Sequence, residues 1–143
     1  MSDTLTQEKA GLGTADDDGG PRPDLDGLLV SIPGNPAVWL IADGGYRKHV
    51  PDPGTLANLF VPNPSIVSDV NANAIPEEAA ITAGAVLAVQ SDGGTVYLVT
   101  NGQKWPITAG GFGRYQFNSA KVVHVPAVLL DFIPDGPVIN WPQ

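Results

Sequence analysis

The chain has 143 residues, of which 43% are hydrophobic and 15% are charged, and this composition is typical of one soluble globular domain. Its net charge of −8 and its seven scattered Lys and Arg residues argue against nucleic-acid binding, because the phosphate backbone favours clustered cations. The absence of Cys excludes disulfides and thiolate chemistry. No apolar run is long enough for a membrane span and no signal-peptide pattern is present, so we expect synthesis in the cytoplasm without membrane insertion.

The first 26 residues are acidic, rich in Gly, Asp and Pro, and poor in large apolar side chains. Seven acidic residues stand against two basic ones, so this segment carries −5 of the net charge. A segment of this composition cannot offset its ordering entropy by burial. We therefore expect residues 1–26 to form an extended, flexible arm that becomes ordered when it docks on other chains. Its run ADDDGG lacks the alternating spacing and the distal Glu of a calcium loop.

Residues 27–83 and 84–143 are predicted to be two copies of one module of about 57 residues. The stretch GLLVSI aligns with GAVLAV, VWLIAD with VYLVTN, and NAIPEE with DFIPDG, while Phe60 aligns with Phe117. A single module of this size would bury too little of its surface to be stable alone. We therefore expect residues 27–143 to form one compact domain in which the two repeats share a core.

Each copy is predicted to contain a strand, a hairpin, a short helix, another strand and a Pro-containing turn. The second hairpin turns at Asn101-Gly102, a pair that favours the positive φ angles of a type I′ turn. The first hairpin turns at Asp43-Gly44-Gly45, which makes its loop one residue longer.

The helices that follow the two hairpins are predicted to differ. In the first copy Asp52 can cap a helix of about two turns that begins at Pro53 and ends near Phe60. The second copy reads TAGGFGRYQF, and its three glycines predict a looser helix because glycine disfavours helical backbone. The predicted fold class is therefore mainly β with short helices, with the extended arm at the N-terminus.

One face of the two hairpins is both aromatic and basic. Alternate residues of a strand share a face, so the residues that lie together can be counted outward from each turn. The candidate glycan-binding or partner-binding residues on this face are Trp39, Arg47, His49, Tyr97 and Lys104. An exposed Trp or Tyr flanked by donors can stack on a sugar or anchor a protein interface. The alternative is a packed Trp with a cation resting on its ring, and the opposite, more apolar face is the predicted core face.

Other chemistry is weakly indicated. The two histidines, His49 and His124, are not at equivalent positions and have no acidic neighbour at ligand spacing, so no metal is predicted. No phosphate-binding motif is complete, and no cofactor is predicted. A carboxylate pair for glycoside hydrolysis would have to come from the turns: Glu77, Glu78, Asp131 and Asp135. Because acidic residues are common in turns and no activated nucleophile is evident, we expect no enzymatic activity.

The stretches VWLIADGGYRKHV and VYLVTNGQKWPI, each followed by a Phe and by an Ile-Pro turn, resemble a tandem hairpin repeat. This repeat occurs in bacterial surface and secreted proteins and in structural proteins of phages that infect actinobacteria. Its pattern is VYLV-x-NG-x-K-W/R-x-I, then a helix with Phe, then IPxG, and it covers nearly all of residues 27–141. The first copy departs from it with Pro76-Glu77-Glu78, and the copies differ where Trp105-Pro106 replaces Lys48-His49. The resemblance implies attachment and supplies no catalytic residue.

The leading hypothesis is a non-enzymatic structural or attachment protein of a larger assembly, such as a decoration or tail component of a phage virion. It would dock on other virion or surface-assembly proteins through residues 1–26 and its hairpin faces, contact envelope polysaccharide as well, and act in the virion or outside the cell. The alternative from another class is a carbohydrate-binding module for a cell-envelope glycan. A glycoside hydrolase is the third hypothesis.

Overall fold

The computed structural model describes residues 20–141, which fall into two units. The first unit contains residues 20–49 and 65–80, and the second contains residues 50–64 and 81–141. Nine strands and three α-helices of five to seven residues lie within these ranges. The predicted fold class, mainly β with short helices, is confirmed for this part of the chain.

The first unit is built on a five-stranded sheet. Its strands are β1 (Leu29–Ser31), β2 (Val38–Ala42), β3 (Tyr46–Val50), β4 (Ile66–Ser68) and β5 (Glu77–Glu78). The spatial order is β4-β1-β2-β3-β5, in which β1 is antiparallel to β2, and the pairs β1–β4 and β3–β5 are parallel. The buried core cluster combines sheet residues with residues before β1 and between β4 and β5: Leu25, Val30, Trp39, Ile41, Ala72 and Ile75. A short 3-10 helix, Val70–Ala74, supplies Ala72.

The second unit contains a similar sheet and, in addition, three short α-helices. Its elements are α1 (Pro53–Leu59), β6 (Val86–Gln90), β7 (Val96–Thr100), β8 (Gln103–Ile107), α2 (Ala109–Arg114), β9 (Val123–Val125) and α3 (Ala127–Asp131). The sheet order is β9-β6-β7-β8, with a single parallel bridge from Lys104 to Asp135 in the place that β5 holds in the first unit. The two sheets therefore share one topology.

The strand register refines the alignment of the two copies. Leu29 pairs with Leu40 in the first sheet, and Leu87 pairs with Leu98 in the second. Both pairs are related by a shift of 58 positions. The predicted alignment of GLLVSI with GAVLAV, which used a shift of 57, is therefore one residue out of register. Both stretches begin with Gly and continue with apolar residues, so the sequence alone does not distinguish a shift of 57 from one of 58.

Helix α1 is encoded by the first repeat but belongs to the second unit. As predicted, Asp52 caps it by accepting a hydrogen bond from the Thr55 backbone nitrogen at 2.7 Å, and Pro53 is its first residue. The Thr55 hydroxyl accepts a hydrogen bond from the Gly84 nitrogen at 2.9 Å, and α1 contacts β6. The first repeat therefore contributes α1 to the second unit.

Two of the three glycines of α2, Gly110 and Gly111, have a steric role, whereas a Cβ atom on Gly113 would meet no neighbour. A Cβ atom on Gly111 would lie 2.5 Å from the Ile139 carbonyl oxygen, and one on Gly110 would overlap the Trp141 carbonyl. The helix is capped by the Thr108 hydroxyl, which accepts from the Gly111 nitrogen at 3.1 Å. Small residues are required here because the C-terminal segment runs directly against the helix.

The end of the predicted arm is folded. The Arg22 nitrogen donates to the Gly45 carbonyl at 3.0 Å, Leu25 is buried, and the buried Asp26 carboxylate accepts from the Gly45 nitrogen at 2.8 Å. The segment from Arg22 to Asp26 therefore closes over the first hairpin turn, although its acidic and Pro-rich composition predicted flexibility. The remainder of the predicted arm, residues 1–19, lies outside the described residues.

This close approach predicts different effects for two neighbouring glycines. Gly44 and Gly45 both have positive φ angles, 88° and 96°, but only a Cβ on Gly45 would meet a neighbour, the Arg22 backbone carbon at 2.2 Å. We expect Gly44→Ala to cost about 1–2 kcal/mol of unfolding free energy from backbone strain alone. Gly45→Ala should cost at least about 3 kcal/mol because the segment must move as well. Urea denaturation measures both, and equal losses would contradict the packing of Arg22 on this turn.

Candidate functional site

Three of the predicted site residues come together in the first unit. The Arg47 guanidinium carbon lies 4.7 Å from the centre of the Trp39 ring, and the His49 ring centre lies 6.0 Å from that of Trp39. Arg47 Nε donates to the Ile75 carbonyl at 2.8 Å, and Trp39 Nε1 donates to Glu77 Oε2 at 2.7 Å. Glu77 Oε1 lies 4.0 Å from Arg47 Nη2, so one carboxylate faces both the indole and the guanidinium.

The other two predicted site residues form the same arrangement in the second unit. Lys104 Nζ lies 5.5 Å from the centre of the Tyr97 ring. It donates to the Ile133 carbonyl at 2.6 Å and forms an ion pair with Asp135 at 3.1 Å. We call each set, a cation over an aromatic ring with one carbonyl and one carboxylate, a cation clamp.

The Ile-Pro turns (residues 75–77 and 133–135) create both cation clamps. The Arg47 nitrogen donates to the Pro76 carbonyl, and the Lys104 nitrogen donates to the Pro134 carbonyl, each at 2.9 Å. These bonds align each turn with the hairpin's return strand, so that the turn presents a carbonyl and an acidic side chain to the cation. These acidic residues were predicted only as turn residues between the modules, and their role beside the cations was not predicted. One feature of the sequence does indicate this role: an acidic residue stands two positions after the turn Ile in both copies.

The two cation clamps differ in how deeply their residues are buried. Trp39 is 6% exposed and Arg47 is also buried, whereas Tyr97 and Lys104 are partly exposed. The face that carries Trp39 and Ile41 holds the core cluster of the first unit. The predicted core face, which carries Leu40, is buried as well. Both faces of this hairpin are therefore covered, the aromatic and basic face by the 3-10 helix and the Ile-Pro turn.

The consequence for ligand binding differs between the cation clamps. The Trp39 ring is covered by Arg47 and the core, which matches the predicted alternative of a packed Trp with a cation on its ring. A sugar could stack on Trp39 only if these groups moved. For Tyr97, Lys104 and the half-buried His49, a role in recognition stays a prediction.

Three of the four candidate catalytic carboxylates lie close to a cationic side chain. Glu77 and Asp135 belong to the cation clamps, and Glu78 lies 3.6 Å from Lys48 Nζ. Asp131, at the end of α3, is exposed. Among residues 20–141, no three His, Asp or Glu side chains converge in a way that suits a metal ion.

A further carboxyl group lies at the first hairpin turn. Asp43 is exposed as a residue, but partial burial of its carboxyl raises the pKa above its ordinary value of 3.8; Lys48 acts in the opposite direction, and Glu78 and Asp26 raise the pKa further. The raised pKa means that folding favours the protonated acid. The stability that this group contributes is therefore fully present below its ordinary pKa and is lost as the pH rises through the folded value.

The second unit carries two exposed apolar features. The α3 surface consists of Val128, Leu129 and Phe132, which are 57%, 53% and 80% exposed, while Leu130 anchors the helix in the core. The α1 groove, of about 230 Å³, runs beside α1 and the four residues that follow Phe60. It is lined by Pro53, Leu56, Ala57, Phe60, Val61, Pro62, Asn63, Pro64, Asn118 and Lys121.

The α3 surface is specific to the second repeat. Val70 of the first repeat corresponds to Val128, but Asn71 and Ala74 stand where the second repeat has Leu129 and Phe132. The two cation clamps are shared by both repeats, whereas this apolar surface is not.

Comparisons with protein-family models, with curated proteins and with solved structures found no match to this chain. In the part of the chain that the structure covers, every helix is too short or too polar to cross a membrane.

The cation clamps predict unequal effects of removing their carboxylates. Glu77→Ala leaves the buried Trp39 indole nitrogen without its acceptor, which should cost about 1–2 kcal/mol of unfolding free energy. Asp135→Ala should cost about 0.5 kcal/mol or less, because this carboxylate is 68% exposed and Lys104 keeps the Ile133 carbonyl. Urea denaturation followed by Trp fluorescence measures both, with Glu77→Gln as the control that keeps an acceptor. Equal losses would show that Trp39 does not depend on Glu77.

The raised pKa predicts a pH-dependent gain from one neutral substitution. Asp43 has a φ angle of 56°, and Asn101 occupies the corresponding turn position of the second hairpin with a φ angle of 55°. Asp43→Asn therefore fits the backbone and removes the cost of ionisation. We expect a higher urea midpoint than that of the parent chain at pH 7, and a gap that closes as the pH falls below about 4. A gap that stays constant with pH would contradict the raised pKa.

Proposed function

We propose that this protein is a non-enzymatic structural or attachment protein of a larger assembly. The observation that carries the proposal is the α3 surface, whose Phe132 ring is 80% exposed. Contiguous exposed apolar side chains are characteristic of interaction sites, because monomers gain nothing from presenting them to water. The proposal gains support from the carboxylates at Glu77 and Asp135, which are engaged in holding the hairpins.

The class of assembly follows from the resemblance to the tandem hairpin repeat. We propose a surface or virion assembly, with the protein made in the cytoplasm and acting in the virion or outside the cell. We propose residues 1–19, which are acidic, as a second docking element. The first docking element is the α3 surface.

We also propose that the two repeats share one core. The support is that α1, which the first repeat encodes, packs on β6 of the second repeat. Phe60 and Phe117, the aligned aromatic residues of the two copies, form a β-bridge and stack with ring centres 5.6 Å apart. A module that uses its neighbour's helix is not complete by itself.

A carbohydrate-binding module is the second candidate, and the partly exposed Tyr97 ring favours it. Aromatic rings flanked by donors can stack on sugars, but here Lys104 already donates to Ile133 and Asp135. This candidate requires glycan-array binding that is lost in Tyr97→Ala and kept in Tyr97→Phe.

The assembly role is tested by fractionation of the native source. An epitope-tagged chain should co-sediment with a large particle in a density gradient, and Val128→Ser/Leu129→Ser/Phe132→Ser should move to the light fractions. Deletion of residues 1–19 should weaken co-sedimentation; the deletion stops there because Leu25 and Asp26 are buried. Val70→Ser, at an exposed position of the first unit, is the control that should stay with the particle. A parent chain found only as free protein would contradict the proposal.

A further inference from the structure

We propose that the α3 surface of one copy of this chain binds the α1 groove of a second copy. This inference deepens the proposed function by naming a neighbouring subunit, and it rests on that function for its biological setting. The partner is chosen by three matches between the two features: size, polarity and charge. The residues of both features lie in the second unit.

The first match is size. A cavity of about 150 Å³ lined by apolar side chains can hold a benzene molecule. The α1 groove has about 230 Å³, so it has room for the Phe132 ring and part of a neighbouring side chain. Val128 and Leu129, on the same short helix, would cover the groove around the ring.

The second match is polarity and order. The groove is lined mainly by Leu, Phe, Val, Ala and Pro side chains, which offer an inserted ring dispersion contacts without unpaired polar groups. One of its lining residues, Phe60, is buried and stacks on Phe117, which in turn stacks on Tyr115 at 5.5 Å. This part of the groove is therefore held in place before any ligand arrives, which lowers the cost of binding.

The third match is charge. Lys121 lines the α1 groove, and Asp131 directly precedes Phe132 on α3. Both side chains are exposed, and within residues 20–141 neither forms an ion pair. A ring inserted into the groove would bring Asp131 with it, so that a carboxylate approaches the lysine at the rim. Complementary charge at an interface steers association and fixes its orientation.

Each copy would use its α3 surface once and its α1 groove once. The first repeat has Asn71 and Ala74 at the positions of Leu129 and Phe132, so it has no equivalent of the α3 surface. Two copies that bind each other's α1 groove reciprocally form a two-fold dimer, whereas copies that bind in one direction form a heterologous contact, which yields a ring if the rotation closes and a filament if it does not. Such a contact suits a protein that decorates a repeating assembly.

Analytical ultracentrifugation of the purified full chain tests the inference. We expect a mass that rises with concentration for the parent chain, and monomer for Phe132→Ser at the same concentrations. Val70→Ser, at another exposed apolar position, should associate like the parent chain. Circular dichroism confirms that each variant is folded. A parent chain that stays monomeric, or Phe132→Ser that associates like it, would overturn the inference.

A charge exchange tests the pairing of the two surfaces. Asp131→Lys and Lys121→Asp should each weaken self-association about tenfold, because each places like charges at the contact. An equimolar mixture of the two variants should recover the parent affinity. The α3 surface of each variant can then bind the α1 groove of the other, which carries the opposite charge. Failure of the mixture to recover would exclude this pairing. A chain that is monomeric when pure but still co-sediments with the native particle would overturn this inference and leave the assembly role standing.

Discussion

A cation held between an aromatic ring and an Ile-Pro turn organises each hairpin of this protein. Arg47 and Lys104 have little contact with water, and a charge in that position is costly unless its donors are satisfied. Each turn satisfies one donor with a main-chain carbonyl and faces the charge with a carboxylate. The backbone bonds from the return strand to Pro76 and Pro134 then bring the chain back beside the sheet. Local electrostatics and long-range topology are thus set by the same few residues.

The two copies keep this interaction and use it differently. In the first unit the ring is Trp39, whose indole nitrogen also binds Glu77, and the residues above it complete a core. In the second unit the ring is Tyr97, and the segment before the turn is α3, which exposes Leu129 and Phe132. The same arrangement therefore lies beside a covered core in the first unit and beside an exposed apolar surface in the second.

The sequence predicted the elements that depend on local chemistry. The Asp52 cap with Pro53, the two hairpins, and the repeat of about 57 residues follow from turn residues, capping and period-two patterns that act over short distances. It did not decide whether the aromatic and basic face of the first hairpin is also buried, because the covering residues, Ala72 and Ile75, lie more than 20 positions from the strands that they cover.

The candidate site was identified only in part for the same reason. The aromatic and cationic residues could be grouped from the hairpin register, but the groups that bind the cations come from a distant turn. Acidic, Pro-rich composition also predicted flexibility for Leu25 and Asp26, whereas hydrogen bonds to a glycine turn order that segment. Contacts between distant segments decided each of these differences.

The assignment of α1 to the second unit affects the order in which the chain can fold during synthesis. The helix leaves the ribosome ahead of β6, on which it packs, by roughly 30 residues, or on the order of seconds at usual elongation rates. During that interval the apolar side chains of Leu59 and Phe60 lack the partners that bury them in the finished protein. A fragment that ends at residue 83 would likewise leave α1 without the strand on which it packs.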